Sequence, residues 1–343
     1  MARLSKGLPV PEDMRPIVER LDKDLRVAAR AMSREEARML VDTRLQMQKD
    51  RIRARARLRA TGDLKAARSL EWLGNQFELL ERRVDLLLGL YVEQHEIGPW
   101  LSRVRGVGDI LAAGLITAID IEKCETAGDI YAFAGVPCVG QVWEKGRRRP
   151  WNAALRRLCY NIGESFVNVS GNPDAYYGQI YRARKEYEWK RNLTGELADR
   201  AQERLKVFRG TNESWRKWYE GAYSGIIITA TRAGDEFFRA GFDAQHLDGL
   251  TEALFLKVRS ADKEEKKLEG VLPEPLWRPG VPMLSPDHIH RRAKWFAITI
   301  FLSHLFTVWY RVHFQKEPPK PFPERVLGHV HILPPPDFAA EGA

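Results

Sequence analysis

The amino-acid sequence predicts a mainly α-helical protein, in which a long antiparallel helical hairpin, a coiled coil, precedes a second helical domain. Residues 33–59 are rich in Ala, Leu, Arg, Glu and Gln and contain neither Gly nor Pro, a composition typical of one long helix. A helical pattern resumes at 64–96 after the turn-forming segment 61–63, as expected of two antiparallel helices joined by a tight turn. Residues 295–310 are uncharged and mostly apolar, which predicts a buried core helix.

Changes in composition divide the chain into six predicted segments. A chain of 343 residues with 44% apolar residues can bury the cores of two or three domains. The segments are an N-terminal lead at 1–32, the helical hairpin at 33–97, a domain with a helix-hairpin-helix and a basic helix at 98–208, an insertion at 209–284 that includes a short predicted strand at 225–229, a core helix at 285–315 that completes the domain, and a Pro-rich tail at 316–343.

The second arm of the hairpin carries an apolar seam whose residues are three and four positions apart in alternation, a spacing typical of a coiled coil. In the first arm only Val41, Leu45 and Ile52 fall into register with it. Because the first arm is too weakly apolar to cover the seam, we expect the seam to pack against another body as well, such as a second copy of the chain. The seam residues are Leu70, Leu73, Phe77, Leu80, Val84, Leu87 and Tyr91.

Arginines occupy every second position of the first arm between residues 51 and 59, and no acidic residue stands among them. Two interpretations stay open. The arginines form either the solvated face of a coiled coil or an arm that grips a nucleic acid, since acidic neighbours in this stretch do not compensate them. These residues are Arg51, Arg53, Arg55, Arg57 and Arg59.

The overall charge indicates a polyanionic partner. The chain has 55 Lys and Arg residues against 46 Asp and Glu residues, a net charge of +9, and its pI is about 9.4. Nucleic acid is the first partner that such a balance predicts, with DNA expected and RNA as the alternative.

The cysteines and the N-terminus predict a cytoplasmic protein without a membrane span. Cys124, Cys138 and Cys159 are odd in number and lack a Cys-x-x-Cys spacing, which supports neither a disulfide framework nor a zinc site. Residues 1–16 lack the apolar core of a signal peptide. The apolar run at 295–310 is shorter than the ~20 residues that cross a bilayer.

A helix-hairpin-helix is predicted at residues 100–119, which read WLSRVRGVGDILAAGLITAI. A short helix ends at the Gly-Val-Gly turn and a second helix starts at once. We expect both glycines to permit positive φ angles and close approach, so that N–H groups at the start of the second helix can meet a phosphate. The alternative is an ordinary turn between core helices, since Gly-x-Gly alone is a weak signal. The candidate DNA contacts are Arg103, Arg105, Gly106, Val107 and Gly108.

A second candidate phosphate site lies in residues 145–158, which read KGRRRPWNAALRRL. Pro150 suits the first turn of a helix, and an apolar stripe starts at Trp151. Cations just ahead of a helix N-terminus oppose the helix dipole, so the arrangement favours a phosphate site, with an exposed loop as the alternative. The candidate DNA contacts are Lys145, Arg147, Arg148, Arg149, Asn152 and Arg156.

A late helix is predicted at about 288–314, because Ser285-Pro286-Asp287 supplies an N-cap, a proline at the first position and an acidic residue in the first turn. Its first turns read HIHRRAK, and we expect them to expose a basic cluster. The candidate DNA contacts there are His290, Arg291 and Lys294.

The histidines of this helix do not predict a metal site. His288 and His290 are two residues apart and cannot share one helix face. His304 stands in the apolar part of the helix and is predicted to be a hydrogen-bonded core residue. No metal or cofactor is therefore predicted for the chain itself.

Four stretches, in their order along the chain, resemble the C-terminal half of transposases of the insertion-sequence-110 type. They read RVRGVGDILAAGLITAI, TAGDIYAFAGVPC, GRRRPWNAALRRL and HIHRRAKWFAITIFLSHLF, and the covered ranges are 101–177 and 288–310. Their order is more specific than any one of them. The chain is also similar to a branch of these transposases carried by phages and prophages. The resemblance implies a mobile-element protein that acts on DNA in transposition or recombination, in a bacterial or phage-infected cell.

The resemblance also implies an N-terminal RNase-H-like domain with four metal-binding carboxylates and a serine nucleophile after a Gly-x-x-Pro element. Residues 1–97 predict helices instead, without the alternating strands that would present carboxylates to two magnesium ions. The corresponding element reads GVPCVGQV at 135–142 and holds no hydroxyl side chain. Cys138 stands there, and we expect it to be a small packing residue. No catalytic residue is assigned, and Mg²⁺ is expected only if a partner chain supplies an acidic site.

The sequence therefore predicts a transposase-related protein that clamps the phosphates of bent, branched or paired DNA through the helix-hairpin-helix and the arginine clusters. The long hairpin would bridge two protomers or two DNA arms. Two alternatives stay open. One is an active transposase or recombinase that receives its acidic domain from another chain, and the other is a phage structural or packaging factor whose basic surfaces hold protein or RNA.

Overall fold

The computed structural model describes residues 23–60, 64–137, 143–209, 213–221, 226–232, 254–260, 281–319 and 333–336. This part of the chain is mainly helical, which confirms the predicted class. The helices are α1 (Lys23–Arg30), α2 (Arg34–Ala60), α3 (Leu64–Gln94), α4 (Gly98–Arg103), α5 (Asp109–Ala118), a 3₁₀ turn (Ile121–Lys123), α6 (Ala127–Ala134), α7 (Ala153–Val169), α8 (Tyr176–Leu193), α9 (Ala198–Val207), α10 (Glu213–Glu220) and α11 (Pro286–Phe314), and the strands are β1 (Ile226–Arg232) and β2 (Leu254–Ser260).

The described residues form two compact units. The first unit contains the residues up to Cys159 together with 305–319, and the second unit contains 160–304 and 333–336. The boundaries fall inside α7 and α11, so each of these helices contributes residues to both units. The six predicted segments stay a prediction.

Helices α2 and α3 of the first unit pack against each other in antiparallel orientation. Their ion pairs show the direction, because arginines later in α2 pair with acidic residues earlier in α3. The buried carboxylates of Glu78 and Glu81 thus help to hold the two arms together, beside buried apolar residues such as Val41 and Val84. The pairs are Arg44–Asp85 at 2.8 Å, Arg51–Glu81 at 2.7 Å and Arg55–Glu78 at 2.5 Å.

The predicted seam of α3 is only partly buried, at Val84 and Tyr91. Leu73 and Leu80 are exposed, whereas Glu78 and Glu81, on the adjacent face, are buried. Successive residues of a helix are about 100° apart, so a shift of one position changes the face that a partner helix covers. The ion pairs with α2 select the acidic face of α3 and leave the neighbouring apolar face uncovered in the single chain.

Helix α5 fills the core of the first unit, where it contacts α2, α3 and α4. Its residues from Ala112 to Thr117 are buried. Leu88 of α3 and Leu101 of α4 are completely buried as well. The Arg34 side chain donates a hydrogen bond to the Thr117 carbonyl at 3.1 Å, which satisfies a carbonyl in the last turn of α5.

An aromatic layer lies at the centre of the second unit. Phe166 stacks on Tyr177 with ring centroids 5.0 Å apart, and Phe301 meets both rings edge to face. Next to them, His304 Nδ1 lies 2.9 Å from the Tyr177 hydroxyl and Nε2 lies 2.8 Å from the Leu333 carbonyl. Nε2 therefore carries the proton, because a carbonyl can only accept. This confirms the predicted core histidine.

A second cluster of the same unit packs Trp189 of α8 against Trp218 of α10 and Leu284. Asn192 fixes the segment before α11, since its side chain both donates to and accepts from the Leu284 backbone at 2.9 and 2.8 Å. The strands β1 and β2 pair antiparallel, with Ile226 opposite Ser260. A strand is thus observed where residues 225–229 predict one.

The late helix begins at Pro286, with the buried Ser285 ahead of it, and it ends at Phe314 as predicted. The Ser285 hydroxyl accepts from the His288 N–H at 3.4 Å, a weak N-cap bond. Among the described residues, α11 is the one helix long and apolar enough to cross a membrane by length and composition. Core helices pass the same test, and Ile298, Phe301 and Leu302 are completely buried here.

Candidate nucleic-acid interface

Residues 98–118, where a helix-hairpin-helix is predicted, form α4, a five-residue turn and α5 in the first unit. The Val107 N–H donates to the Val104 carbonyl at 2.9 Å, which closes the turn. Leu101, Val104 and Val107 are buried and anchor it from inside. Arg103, the last residue of α4, and Arg105 of the turn are exposed.

The two glycines of the turn differ in conformation. Gly106 has a φ of 99°, in the left-handed region that favours glycine. Gly108 has φ −90° and ψ 174°, extended backbone that any residue adopts, so the predicted positive φ is wrong there. A Cβ atom at Gly108 would meet no atom of the described structure within 4 Å. Nothing within the described chain thus requires glycine at 108, and the space beside it is open.

The start of α5 presents unpaired backbone donors to this open space. The Gly108 carbonyl accepts from Leu111 and Ala112, whereas the first N–H groups of a helix have no acceptor inside it. The only acidic residue of the first turn, Asp109, has its carboxyl against Gly89 of α3. Burial raises the pKa of Asp109, and Asp85 adds to the rise.

An exposed basic loop, defined here as residues 143–149, precedes α7. It holds four basic residues and one acidic residue, and all of its side chains are exposed. The acidic residue, Glu144, pairs with Arg147 at 3.0 Å. The Trp143 indole donates to the Arg147 carbonyl at 2.7 Å, and its ring lies 5.3 Å from the Arg149 guanidinium. Trp143 thus shapes the loop while Lys145 and Arg148 extend from it.

Asn152 is the N-cap of α7. Its side-chain oxygen accepts from the N–H groups of Ala154 and Leu155 at 2.9 and 3.0 Å. The helix begins at Ala153, so Pro150 precedes it and is not part of its first turn, contrary to the prediction. The Asn152 side-chain oxygen is therefore occupied in capping α7.

Arg156 and Arg157 face in different directions. The Arg156 guanidinium donates to the Gly135 carbonyl and lies 4.6 Å from the Trp151 ring. Burial lowers the pKa of Arg156. Arg157 is exposed and was missed as a candidate, although the apolar stripe through Leu155 already placed it on the solvent side.

A close helix contact brings the hairpin and the basic loop into one body. A Cβ atom at Gly114 of α5 would lie 2.9 Å from Leu158 Cδ2 of α7. Asp109 and Ala153 each precede the contact residue of their helix by about 7.5 Å of helix axis. With an axis separation of about 8–10 Å, the two helix starts lie at most about 18 Å apart, whichever way the helices run.

The third predicted cluster, on α11, is in the second unit and is only partly exposed. Lys294 is 1% exposed, so its predicted exposure is wrong. Its ammonium donates to Glu164 and lies 3.8 Å from the Tyr160 ring centroid. His290 Nδ1 lies 2.8 Å from the Tyr181 hydroxyl. Arg291, which is exposed, pairs with Asp287 one turn earlier.

Several of the arginines on α2 have acidic partners. Arg51 and Arg55 pair with carboxylates of α3, and Arg53 pairs with Asp50 at 3.0 Å. Acidic residues outside the stretch 51–59 therefore compensate the positive charges of these three arginines. Arg57 and Arg59 are exposed near the end of the helix.

The described part of the chain shows neither a cluster of metal ligands nor a thiol with a lowered pKa. No set of three or more His, Cys, Asp or Glu residues there could hold a metal ion. Burial raises the pKa of Cys124 to about 11 and that of Cys159 to about 12, so both thiols are protonated at neutral pH. Cys138 lies outside the described residues.

No protein-family model, curated protein or solved structure matches the chain.

Proposed function

We propose that the chain binds DNA through the start of α5 and the basic loop of the first unit, and that it does so in transposition or recombination. The observation that carries the proposal is the contact between Gly114 and Leu158, which holds an open helix start and an exposed loop of net charge +3 in one body. Both features suit phosphate groups, the first through backbone N–H donors and the second through guanidinium and ammonium groups.

The proposed mechanism is a two-point phosphate clamp. N–H groups at Gly108 and Asp109 donate to one phosphate, and the absence of a side chain at Gly108 lets the sugar-phosphate backbone come close. The basic loop contacts further phosphates. One turn of DNA is about 34 Å long, and the starts of α5 and α7 lie at most about 18 Å apart. The start of α5 and the basic loop ahead of α7 are therefore proposed to contact the same turn of a duplex or two arms of a junction.

The proposed contact residues differ from the predicted set. Arg157 joins it because it is exposed on α7. Asn152, Arg156 and Lys294 leave it because none of them is exposed and polar atoms of each are paired within the chain. The retained residues of the first unit are Arg103, Arg105, Gly106, Val107, Gly108, Lys145, Arg147, Arg148 and Arg149.

Transposition or recombination is the proposed setting because of the order of the four stretches that resemble insertion-sequence-110-type transposases. The proposal assigns DNA binding, and no strand cleavage, to the chain itself. Incubation of the purified protein with supercoiled plasmid and Mg²⁺ tests this point. Nicked plasmid or a covalent protein–DNA adduct would replace the binding role with that of an active recombinase.

The experiment that tests DNA binding is fluorescence anisotropy with labelled duplex, single-stranded DNA, a four-way junction and a structured RNA. We expect the junction or duplex to bind best, and log K to fall linearly with log salt because each neutralised phosphate releases about 0.9 counterion. Preference for RNA would favour the RNA-binding alternative. Binding that does not depend on salt would contradict the clamp.

A matched pair of variants localises the interface. Changing Arg147, Arg148 and Arg149 to Ala is expected to reduce the salt slope by about two to three, one unit for each lost phosphate contact. The control removes three exposed positive charges from the second unit, by changing Arg200, Lys206 and Arg209 to Ala, and is expected to leave the slope unchanged. Equal losses in both variants would indicate nonspecific attraction to the whole basic chain.

A further inference from the structure

The outer face of α3, which α2 leaves uncovered, is strongly apolar. Trp72 is 63% exposed, Leu80 and Leu86 are 44% exposed, and Leu73 is 37% exposed. Large apolar side chains in a contiguous exposed row mark an interaction surface more often than a solvated one. The face is named the α3 outer face here, and its apolar residues are Trp72, Leu73, Leu79, Leu80, Leu86, Leu87 and Leu90.

The residues of this face repeat every seven positions in two adjacent rows. Trp72, Leu79 and Leu86 form one row, and Leu73, Leu80 and Leu87 form the other. A seven-residue repeat keeps side chains on one side of a helix, and a second helix with the same repeat can interlock with it over its whole length. From Trp72 to Leu90 the face is about 27 Å long.

The charges at its two ends are complementary to a second copy in antiparallel orientation. Arg68 stands 12 residues before Leu80 and Glu93 stands 13 residues after it, and both side chains are exposed. A two-fold axis at Leu80 therefore brings Arg68 of each copy beside Glu93 of the other. In a parallel arrangement Arg68 would face Arg68, and Glu93 would face Glu93. Leu90, Gln76 and Arg83 lie between the apolar rows, and the long side chains of Gln76 and Arg83 reach past those rows to water.

We propose that two copies of the chain form an antiparallel dimer through the α3 outer face, with Leu80 on the two-fold axis. Each half of the interface repeats the other, as a two-fold contact requires. The basic loop and the start of α5 belong to the same unit as α3, so the dimer carries two of the proposed DNA sites.

The dimer is tested on the full chain without DNA, so the result does not depend on the proposed function. Nucleic acid is removed with high salt, and the mass is measured by sedimentation equilibrium. We expect twice the 39.4 kDa of one chain. The double change Leu73→Glu and Leu80→Glu should weaken the dimer at least about tenfold, because four apolar side chains leave the interface. The control, Met39→Glu, changes a residue 69% exposed on α2 and should leave the dimer intact.

Charge reversal tests the orientation. Arg68→Glu alone and Glu93→Arg alone each place like charges together and should weaken the dimer, whereas the double variant should restore it. Circular dichroism confirms that each variant keeps its helices. A monomeric wild-type chain, or a control that dissociates as far as the Leu73 and Leu80 variant, overturns the dimer. A double charge reversal that is no better than the single ones overturns the antiparallel arrangement.

Discussion

Gly114 of α5 and Leu158 of α7 are so close that a Cβ atom at Gly114 would lie 2.9 Å from Leu158 Cδ2 and 3.1 Å from Cδ1. Both residues are buried, and Leu158 is the side chain through which α7 approaches α5. The contact matters for packing and for the proposed DNA binding, because it holds α7, which follows the basic loop, against α5. The close packing of α5 and α7, which are distant in sequence, therefore depends on the absence of a side chain at Gly114.

Gly114→Val is expected to destabilise the protein by about 1–3 kcal/mol, because a buried branched side chain would overlap Leu158. Gly108→Ala is the matched control, since its Cβ meets no atom within 4 Å and its φ is permitted. Chemical denaturation of both variants measures the difference. Equal stability of the Gly114 variant and the wild type would show that α7 can move away without cost.

Gly108→Val is expected to keep the fold and to weaken DNA binding about tenfold, as expected for the loss of one hydrogen bond to a charged group. Gly106→Val, in contrast, should cost about 1–2 kcal/mol of stability, because its φ of 99° is strained for a residue with a side chain. Anisotropy and thermal unfolding separate the two effects. If the Gly108 variant binds DNA as well as the wild type, the α5 start is not a phosphate site.

Glu81→Ala is expected to destabilise the α2–α3 hairpin by about 3 kcal/mol, because it leaves the guanidinium groups of Arg44 and Arg51 without their buried partner. Glu71→Ala on the exposed side of the same helix is the control and should change stability little. Replacing both Glu81 and Arg51 by Leu should cost less than Glu81→Ala alone. A larger loss in the double variant would mean that the pair is not the main interaction at this point.

Protonation of the buried histidines is expected to lower stability as the pH drops from 6.5 to about 4, whereas Glu186, whose pKa burial raises to about 7, acts in the opposite direction. Burial lowers the pKa of His304 to about 4, so the folded chain keeps it neutral while the unfolded chain binds a proton below 6.5. His304 alone contributes up to roughly 3 kcal/mol to the free energy of unfolding. This contribution is complete above pH 6.5 and is lost near pH 4. Burial and Arg292 lower the pKa of His288 to about 4 as well, which adds to the same slope.

His304→Gln isolates the first of these contributions. The neutral amide can still donate to the Leu333 carbonyl and accept from the Tyr177 hydroxyl, but it does not titrate. We expect urea unfolding at several pH values to show a smaller loss of stability between pH 6.5 and 4 than in the wild type. An unchanged pH profile would place the acid sensitivity elsewhere in the chain.

The helices and their ends could be predicted from the sequence because local features determine them. Residues 34–60 and 64–94 contain strong helix formers, and Ser285-Pro286-Asp287 marks a helix start with side chains that act within one turn. His304 could be placed in the core because its whole neighbourhood in the chain is apolar. These predictions needed no knowledge of distant residues.

The helix faces could not be predicted, because each depends on a partner far away in the chain. Arg156 and Arg157 are neighbours in sequence, and the carbonyl of Gly135 decides which of them is turned inward. Lys294 belongs to a basic run, yet Glu164 holds it inside the second unit. Positive charge in a sequence thus indicated the partner class that we propose, without indicating which cations reach the surface.

The sequence by itself determined that this protein is mainly helical, where its long helices begin and end, and that it carries an excess of positive charge. The tertiary structure decided that buried ion pairs of Glu78 and Glu81 join α2 and α3, and that the outer apolar face of α3 is exposed. The physical reason is the helical period. At about 100° per residue, two candidate faces lie side by side on one helix, and only long-range partners such as Arg51 for Glu81 select between them.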